Sequence, residues 1–491
     1  MTQQELIIRE VRTGKLVAFR REDDDLKVTR LETKTHVTII LRQVLGVRFD
    51  RDSGVLEVAY LRRRKKRTPF ALMKLEGKVE GLDSDAAADW AEALMKTVYE
   101  DSGVKRGRHL MVLVNPHGGV RKAVAVFMKV VEPIFRAAQC TFDIIHTTHN
   151  RHAYDIAKEM DLKYDAVVTV SGDGLIHEVM NGFAHHEDPK KAFAIPIAPI
   201  PTGSGNGLAL NLLGIEHGFD VTEAALNVIK GKAMKVDVFS LTQDGERTIS
   251  FMSQAMGLMA DLDIGTEHLR WMGDTRFMFG LIRGIIQFKP CPVQLSYKLA
   301  EDDKVKMAET LEARRLEHKE GDLEQALPHQ DNTGRLPPLH NLPDDTDGWT
   351  TFEEPILYIY AGKGPFVGRD LMAFPVSLPD DGLIDVMAMP VSSRKDILLA
   401  IGGAAKGENY WHPKVHYVKA HAYRVKPLAS KGSLAVDGEV FPFKEFQVEV
   451  HQKLAAFLSP YGHYAANFSS PTSSAPVTSK KRGDHHYGVL L

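Results

Sequence analysis

The stretch Ala166-Val167-Val168-Thr169-Val170-Ser171-Gly172-Asp173-Gly174, with the helical segment Leu175 to His185 behind it, decides the fold. Its first five residues are a short β-branched run, the pattern of a strand buried on both faces. Two glycines around an acid break the run, and a helix follows. Strand, glycine turn and helix together make one unit of a parallel sheet. The same order recurs around it. Leu110 to Val114 reads as a strand, Val120 to Gln139 as a helix, Phe142 to Ile145 as a strand and His152 to Met160 as a helix. Downstream, Ala192 to Ile200 reads as a fourth strand. The alternation predicts an α/β domain over 106–234, a parallel sheet flanked by helices. In such sheets ligands bind at loops beyond the carboxyl ends of the strands.

Three glycine-bearing loops occupy that position. The first is Asn115-Pro116-His117-Gly118-Gly119. Its glycines let backbone N–H groups approach a phosphate at a helix start, although an Asn-Pro turn would look the same. The second is Ser171-Gly172-Asp173-Gly174. A carboxylate between glycines can take a proton from a substrate hydroxyl, or Asp173 can simply cap a helix. Glu178 follows one helical turn beyond Gly174. The third is Pro201-Thr202-Gly203-Ser204-Gly205-Asn206-Gly207, with the small residues, hydroxyls and N–H donors of an anion cradle. No Lys-Ser/Thr pair ends it, so it is not a Walker A loop. Leu208 stands where a dinucleotide fingerprint needs its third glycine.

Around this core the chain changes character twice. Residues 1–105 read as short strands (Leu6 to Ile8, Lys15 to Phe19, Val37 to Leu41, Val55 to Tyr60). A helix from Asp83 to Tyr99 follows, making a small β domain that resembles a pleckstrin-homology domain. Residues 235–465 return to strands and predict a second, mainly β domain. A charged, aromatic-poor insertion at 301–350 and a Ser/Thr/Pro-rich tail at 466–491 carry the signature of disorder. The run Arg62 to Arg67 could meet anionic lipid headgroups, act as a nuclear-import signal or be a solvated loop. The aliphatic stretches Phe277 to Phe288 and Ile397 to Ala405 could line an acyl pocket, cover a membrane face or pack in a core.

Composition narrows the class. Lys plus Arg is 62 and Asp plus Glu is 64, a net charge of −2, which argues against nucleic acid as partner. Cys140 and Cys291 are the two cysteines and give neither a disulfide framework nor metal-ligand spacing. The start lacks a signal-peptide pattern, and no apolar run spans a bilayer. The expected place is the cytoplasm, with any membrane contact peripheral and transient.

The motifs resemble those of the diacylglycerol-kinase superfamily and, within it, the sphingosine (long-chain-base) kinases. Asn-Pro-His-Gly-Gly, Ser-Gly-Asp-Gly-Leu-Ile-His-Glu-Val-Met-Asn-Gly and Pro-Thr-Gly-Ser-Gly-Asn match in order and spacing, and Asp437-Gly438-Glu439 matches a C-terminal motif. The resemblance implies ATP and Mg²⁺ as cofactors, a sphingoid base as substrate, and a mainly antiparallel β-sandwich over 235–465 that holds the lipid. It implies that Asn115, Pro116, His117, Gly118, Gly119, Thr147, Ser171, Gly172, Gly174, Thr202, Gly203, Ser204, Gly205, Asn206, Asp437 and Gly438 line the nucleotide. Ser171 would also touch the substrate. Asp173 would be the base, and Glu178 and Glu439 would stand near phosphate or Mg²⁺. Several family members carry Arg where His117 stands. In Ala260 to Glu267, Asp263 would hold the substrate amine, a pairing that a carboxylate in an apolar pocket favours. Arg270 and Arg276 would reach the phosphates. A homodimer is left open. So are diacylglycerol or ceramide as substrate, and a catalytically inactive lipid-binding adaptor.

Overall fold

The computed structural model describes residues 5–63, 65, 68–119, 121–265, 288–320, 335–341 and 345–469. At the N-terminus β1 (Leu6–Glu10), β2 (Leu16–Glu22), β3 (Asp25–Arg30), β4 (Thr35–Ile40), β5 (Val44–Asp50), β6 (Val55–Arg63) and β7 (Phe70–Glu80) form an antiparallel sheet. Its order is β4-β3-β2-β1-β7-β6-β5. Helix α1 (Ser84–Tyr99) closes it. Asp83 starts the helix by accepting the Ala86 N–H (2.8 Å). Ala87, Ala91, Leu94, Met95 and Val98 then recur at helical spacing as its buried stripe.

The α/β layer holds β8 (His109–Val114), β9 (Thr141–His146), β10 (Ala166–Ser171) and β11 (Ile197–Pro201), parallel and ordered β11-β10-β8-β9. Its helices are α2 (Ala123–Val126), α3 (Glu132–Ala137), α4 (His152–Glu159), α5 (Asp173–Ala184), α6 (Pro189–Ala194), α7 (Gly207–Leu213) and α8 (Val221–Lys230). Two expectations change here. The helix after the first glycine loop begins at Ala123 and is interrupted by a π turn at Phe127–Val131. The expected strand from Ala192 is helix until Ala194, because Asp188 caps Lys191 N–H (3.2 Å) and Pro189 sits in the first turn.

The remainder comprises β12 (Lys232–Gln243), β13 (Glu246–Ser250), β14 (Ser253–Gly257), α9 (Leu258–Gly265), β15 (Val293–Glu301), α10 (Lys304–Glu320), β16 (Thr350–Phe352), β17 (Ile356–Gly362), β18 (Phe366–Gly368), β19 (Leu371–Met372), β20 (Ile384–Pro390), α11 (Arg394–Gly402), β21 (His416–Pro427), β22 (Leu434–Val436), β23 (Glu439–Phe441) and β24 (Phe446–Ser459). β24 runs antiparallel to β12 and β21 and parallel to β11, at Ile197 and Phe457. The path β23-β22-β14-β17-β20-β21-β24-β11-β10-β8-β9 is therefore one mixed sheet, not two separate ones.

The insertion is also more ordered than its composition predicts. Met307, Ala308 and Leu311 of α10 are buried, and Glu449 accepts the N–H groups of His340 (2.7 Å) and Asn341 (2.9 Å). Residues 321–334 and 342–344 of the insertion, and the tail from 470, lie outside the described residues. One apolar core runs from the N-terminal sheet (Phe19, Leu45) through α1 (Leu94, Tyr99) into the α/β layer (Val112, Phe135, Val168). Among the described residues no helix is long and apolar enough to cross a membrane.

Candidate active site

The three glycine loops meet at the carboxyl ends of β8, β10 and β11. Backbone register brings them there. The Asn115 N–H donates to Val170 O (3.2 Å) and the Thr202 N–H to Ser171 O (3.1 Å). Close contact then fixes the residue type. A Cβ on Gly203 would stand 2.4 Å from Gly172 Cα, and one on Gly119 (φ +54°) would stand 2.5 Å from Thr202 O. These glycines serve loop-to-loop packing, a role apart from the phosphate approach read from the sequence.

Within the cluster, Asn115 Oδ1 accepts the His117 N–H (3.0 Å), a local turn that Pro116 favours. His117 is exposed and Gly118 lies against Asn115 and Ser171. Thr147 follows β9 and donates its N–H to Val114 O (2.9 Å), beside the first loop. Ser171 ends β10, buried. Asn206 is buried and braces its own loop, with Oδ1 taking Gly203 N–H (3.2 Å) and Nδ2 giving to Gly203 O (2.9 Å). Ser204 and Gly205 are half-buried. The Thr202 hydroxyl oxygen is buried and lacks a hydrogen-bond partner among the described residues.

Asp173 is the first residue of α5, and Gly172 is that helix's cap. Its carboxylate does not cap its own helix. Oδ2 accepts the Gly207 N–H (2.7 Å) and Oδ1 the Leu208 N–H (3.2 Å), so it spans from the second loop to the end of the third at 8% exposure. Two donors on two oxygens fix its plane.

Both motif glutamates stand nearby. Glu439 Oε1 lies 2.9 Å from where a Cβ on Gly174 would be. Glu178 Oε2 accepts the Ala153 N–H (3.0 Å), anchoring the start of α4. Burial pushes the Glu178 carboxyl up, and the charge of Glu439 adds to that against the bonds from Arg151, Ala153 and Tyr154.

Asp437, expected from the resemblance to line the nucleotide, is held closely by the protein. Its side chain is buried, and both oxygens are taken by protein donors. Oδ1 accepts from Ser250 Oγ (2.8 Å), Met252 N–H (3.0 Å) and Ser253 N–H (2.9 Å); Oδ2 accepts from Phe251 N–H (3.2 Å) and His177 Nδ1 (2.8 Å). Its carboxylate braces the protein. His177 was not singled out from the sequence, although its place four residues after Asp173 puts it on the same helix face. Burial alone would lower its imidazole below the ordinary 6.5. The Asp437 bond and charge, with Glu439 and Glu178, outweigh burial and raise it.

Asp263 falls in α9, with its side chain outside the described set, and Arg270 and Arg276 lie outside the described residues. So does most of Phe277 to Phe288. In the basic run, Arg63 is paired with Asp220 (3.2 Å) and Glu223 (2.5 Å) on α8, whereas Arg64, Lys66 and Arg67 lie outside the described residues. On α11, Ile397 is buried but Leu398 and Leu399 are exposed. A cavity of about 530 Å³ lined by Arg48, Glu57, Lys74, Arg136, Gln139 and Cys140 contains none of the loop residues. The candidate site is a meeting of loop ends, separate from that open depression.

Residues 109–241 match the family described as diacylglycerol kinase catalytic domain. The chain is 32% identical over 379 residues to "Sphingoid long chain base kinase 4" of Schizosaccharomyces pombe, covering 76% of this chain and 79% of that one. The chain belongs to the sphingoid long chain base kinase family. It is also 29% identical over 355 residues to "Sphingosine kinase 1" of Homo sapiens, covering 70% of this chain and 88% of that one. A solved structure described as a putative diacylglycerol kinase from Bacillus anthracis str. Sterne aligns with TM-score 0.51 and 18% identity over 74% of this chain and 98% of that chain, a likeness of fold. The matched catalytic-domain segment contains all three glycine loops, Asp173, His177 and Glu178. Glu439 and Asp437 come to them from some 260 residues later in the chain.

Proposed function

We propose that this kinase transfers the γ-phosphoryl group of ATP to the primary hydroxyl of a sphingoid base (sphingosine, dihydrosphingosine or phytosphingosine), releasing ADP and a sphingoid base 1-phosphate. Membership of the family supports the reaction. The observation that carries the assignment of chemistry is the convergence of three glycine loops on one oriented carboxylate, Asp173.

In this reading Asp173 accepts the hydroxyl proton as that oxygen attacks phosphorus. Backbone N–H groups of the loops hold the phosphates, with Asn115, His117, Thr147 and Ser204 around them. The unpartnered Thr202 hydroxyl supports a phosphate oxygen beside it. Mg²⁺ carried by a nucleotide needs only one or two protein carboxylates. Glu178 and Glu439 fit that, and no group of three or more His, Cys, Asp or Glu able to hold a metal occurs among the described residues. Bound with ATP, the ion would neutralise phosphate charge. Arg270 and Arg276 add cations, and Asp263 holds the substrate ammonium. The N-terminal sheet acts as a pleckstrin-homology-like module and the C-terminal strands as a lipid-holding sandwich. Contact with membranes is peripheral and transient from the cytoplasm, and a homodimer is compatible with it.

Labelled ATP offered with sphingosine, diacylglycerol and ceramide in parallel tests this reading. Label on sphingosine is expected. Label on diacylglycerol or ceramide instead would overturn the substrate class, and nucleotide binding without label on any lipid would favour an inactive adaptor.

A further inference from the structure

We propose that His177 is a positioning residue of the phosphoryl-transfer site: through Asp437 it holds the β22–β23 turn, and with it Glu439, in register against the first turn of α5. The inference rests on the kinase reading above.

Asp173, His177 and Asn181 recur every four residues on one face of α5. Each reaches a different element. Asp173 binds the start of α7. His177 binds Asp437 (2.8 Å). Asn181 binds both backbone groups of Ile249 at the end of β13, through Oδ1 and Nδ2 (2.8 Å each). The helix that opens with the base is thus laced along one stripe to both halves of the molecule.

The turn beyond His177 has little freedom. Asp437 (φ +50°) and Gly438 (φ +85°) join β22 to β23, and Val436 pairs directly with Glu439. A two-residue turn with two left-handed residues favours Asp-Gly and fixes its flanks. Whatever fixes Asp437 therefore fixes Glu439. The bonds from Ser250, Phe251, Met252 and Ser253 tie Asp437 to its own half of the sheet. The His177 bond ties it to α5. Glu439 then stands over Gly174, next to Asp173. Hydrogen bonds to a carboxylate are short and directional, which suits a group whose place must be held to fractions of an ångström. The charged groups facing His177 are Asp437, Glu439 and Glu178.

The test is a cycle of His177→Ala, Glu439→Gln and the double variant, with His177→Asn beside it. Read are kcat, both KM values and the affinity for ADP with Mg²⁺. His177→Ala is expected to lower kcat roughly tenfold or more with each KM within about threefold. His177→Asn, whose amide reaches the Nδ1 position, should recover most of that loss. The double variant should be no slower than Glu439→Gln alone, because one effect passes through the other. Multiplying losses in the double variant, or an asparagine variant as slow as the alanine one at equal thermal stability, would overturn the proposal. If the alanine variant does not fold, the cycle is built on His177→Gln, which keeps bulk but moves the donor. If the wild type labels no lipid, the reaction reading fails by itself. The ADP affinities then carry the cycle, and independent effects of the two residues on them overturn the positioning role.

Discussion

Two seams border the α/β layer, and their polar contacts stand in different places. Toward the N-terminal sheet the seam is close, with an apolar centre and ion pairs at its edge. One core runs across it, and a Cβ on Gly46 would stand 2.4 Å from Ala137 O. Helix α8 is gripped at both ends. Arg63 and the Phe70 N–H hold Asp220, Glu223 and Thr222 at its start. Lys230 at its end donates to Val98 O (3.2 Å) and lies 3.0 Å over the Tyr99 ring. Where α5 meets the C-terminal strands the same apolar core continues, and two directional polar contacts cross it: His177 to Asp437 and Asn181 to Ile249. Burial is non-directional and scales with area, whereas hydrogen bonds fix angles and distances. At the α5 seam the bonds align the reacting groups. At the other they stand at the two ends of α8, which carries none of the site residues.

Changes at the α5 seam should therefore reduce turnover with little loss of stability, and changes at the N-terminal seam should do the reverse. The largest effect is expected from Asp173→Asn. Turnover should fall by about 10²–10⁴, the usual weight of general-base catalysis, while the thermal midpoint stays near that of the wild type. Retention of ordinary kcat would remove Asp173 as base. Gly203→Ala comes next. Its methyl has no room against Gly172, so nucleotide affinity should collapse and stability fall by about 1–3 kcal/mol. Denaturant titration and a nucleotide-binding isotherm read the two effects.

At the N-terminal seam Arg63→Met should leave kcat unchanged and cost on the order of 1–2 kcal/mol. That is discounted from a fully buried pair because Arg63 keeps part of its side chain in water. A fall in kcat without a fall in stability would erase the contrast. Lys230 gives the same seam a pH dependence. Burial first, and the nearby Arg108 charge, lower its amine from 10.5 to about 6. The unfolded chain is protonated below about 10.5 and the folded chain only below about 6, so between these values the unfolded state holds more protons and stability rises with pH. Lys230→Met should flatten that rise and be somewhat more stable than the wild type at pH 7. An unaltered slope between pH 7 and 9 in denaturant titrations would show that Lys230 does not titrate there.

The glycine loops were legible because each carries its own chemistry within a few residues of a buried strand. Their mutual contact was not, since the Gly203–Gly172 approach depends on the β10–β11 register. Strands β3, β5 and β7 carry weaker signals. Asp25-Leu26-Lys27-Val28-Thr29-Arg30 buries only Leu26 and Val28, and such alternation also suits a solvated loop. Helix α10 was hidden by a charged composition that outweighs its few inward residues. Asp437 was legible as a motif but not as a brace, because its partners Ser250 to Ser253 lie on another hairpin, some 185 positions away. The buried set of Lys363, Asp237, Asp381, Lys419 and Asp385 gave no signal for the same reason: each charge is unremarkable until the fold removes it from water.

Strand β24 has a consequence in time. It borders β11 through Phe457, some 260 residues after Ile197. During synthesis β8, β9, β10 and β11 leave the ribosome early, yet the β11 side of their sheet has no neighbour until residue 457 appears. At ~5–20 residues per second that wait lasts on the order of 13–50 s. An open strand edge invites pairing with another chain. The nascent kinase is therefore most exposed to misassembly between the emergence of β11 and that of β24. Shortening that interval by circular permutation, so that β24 emerges first, should raise the soluble yield.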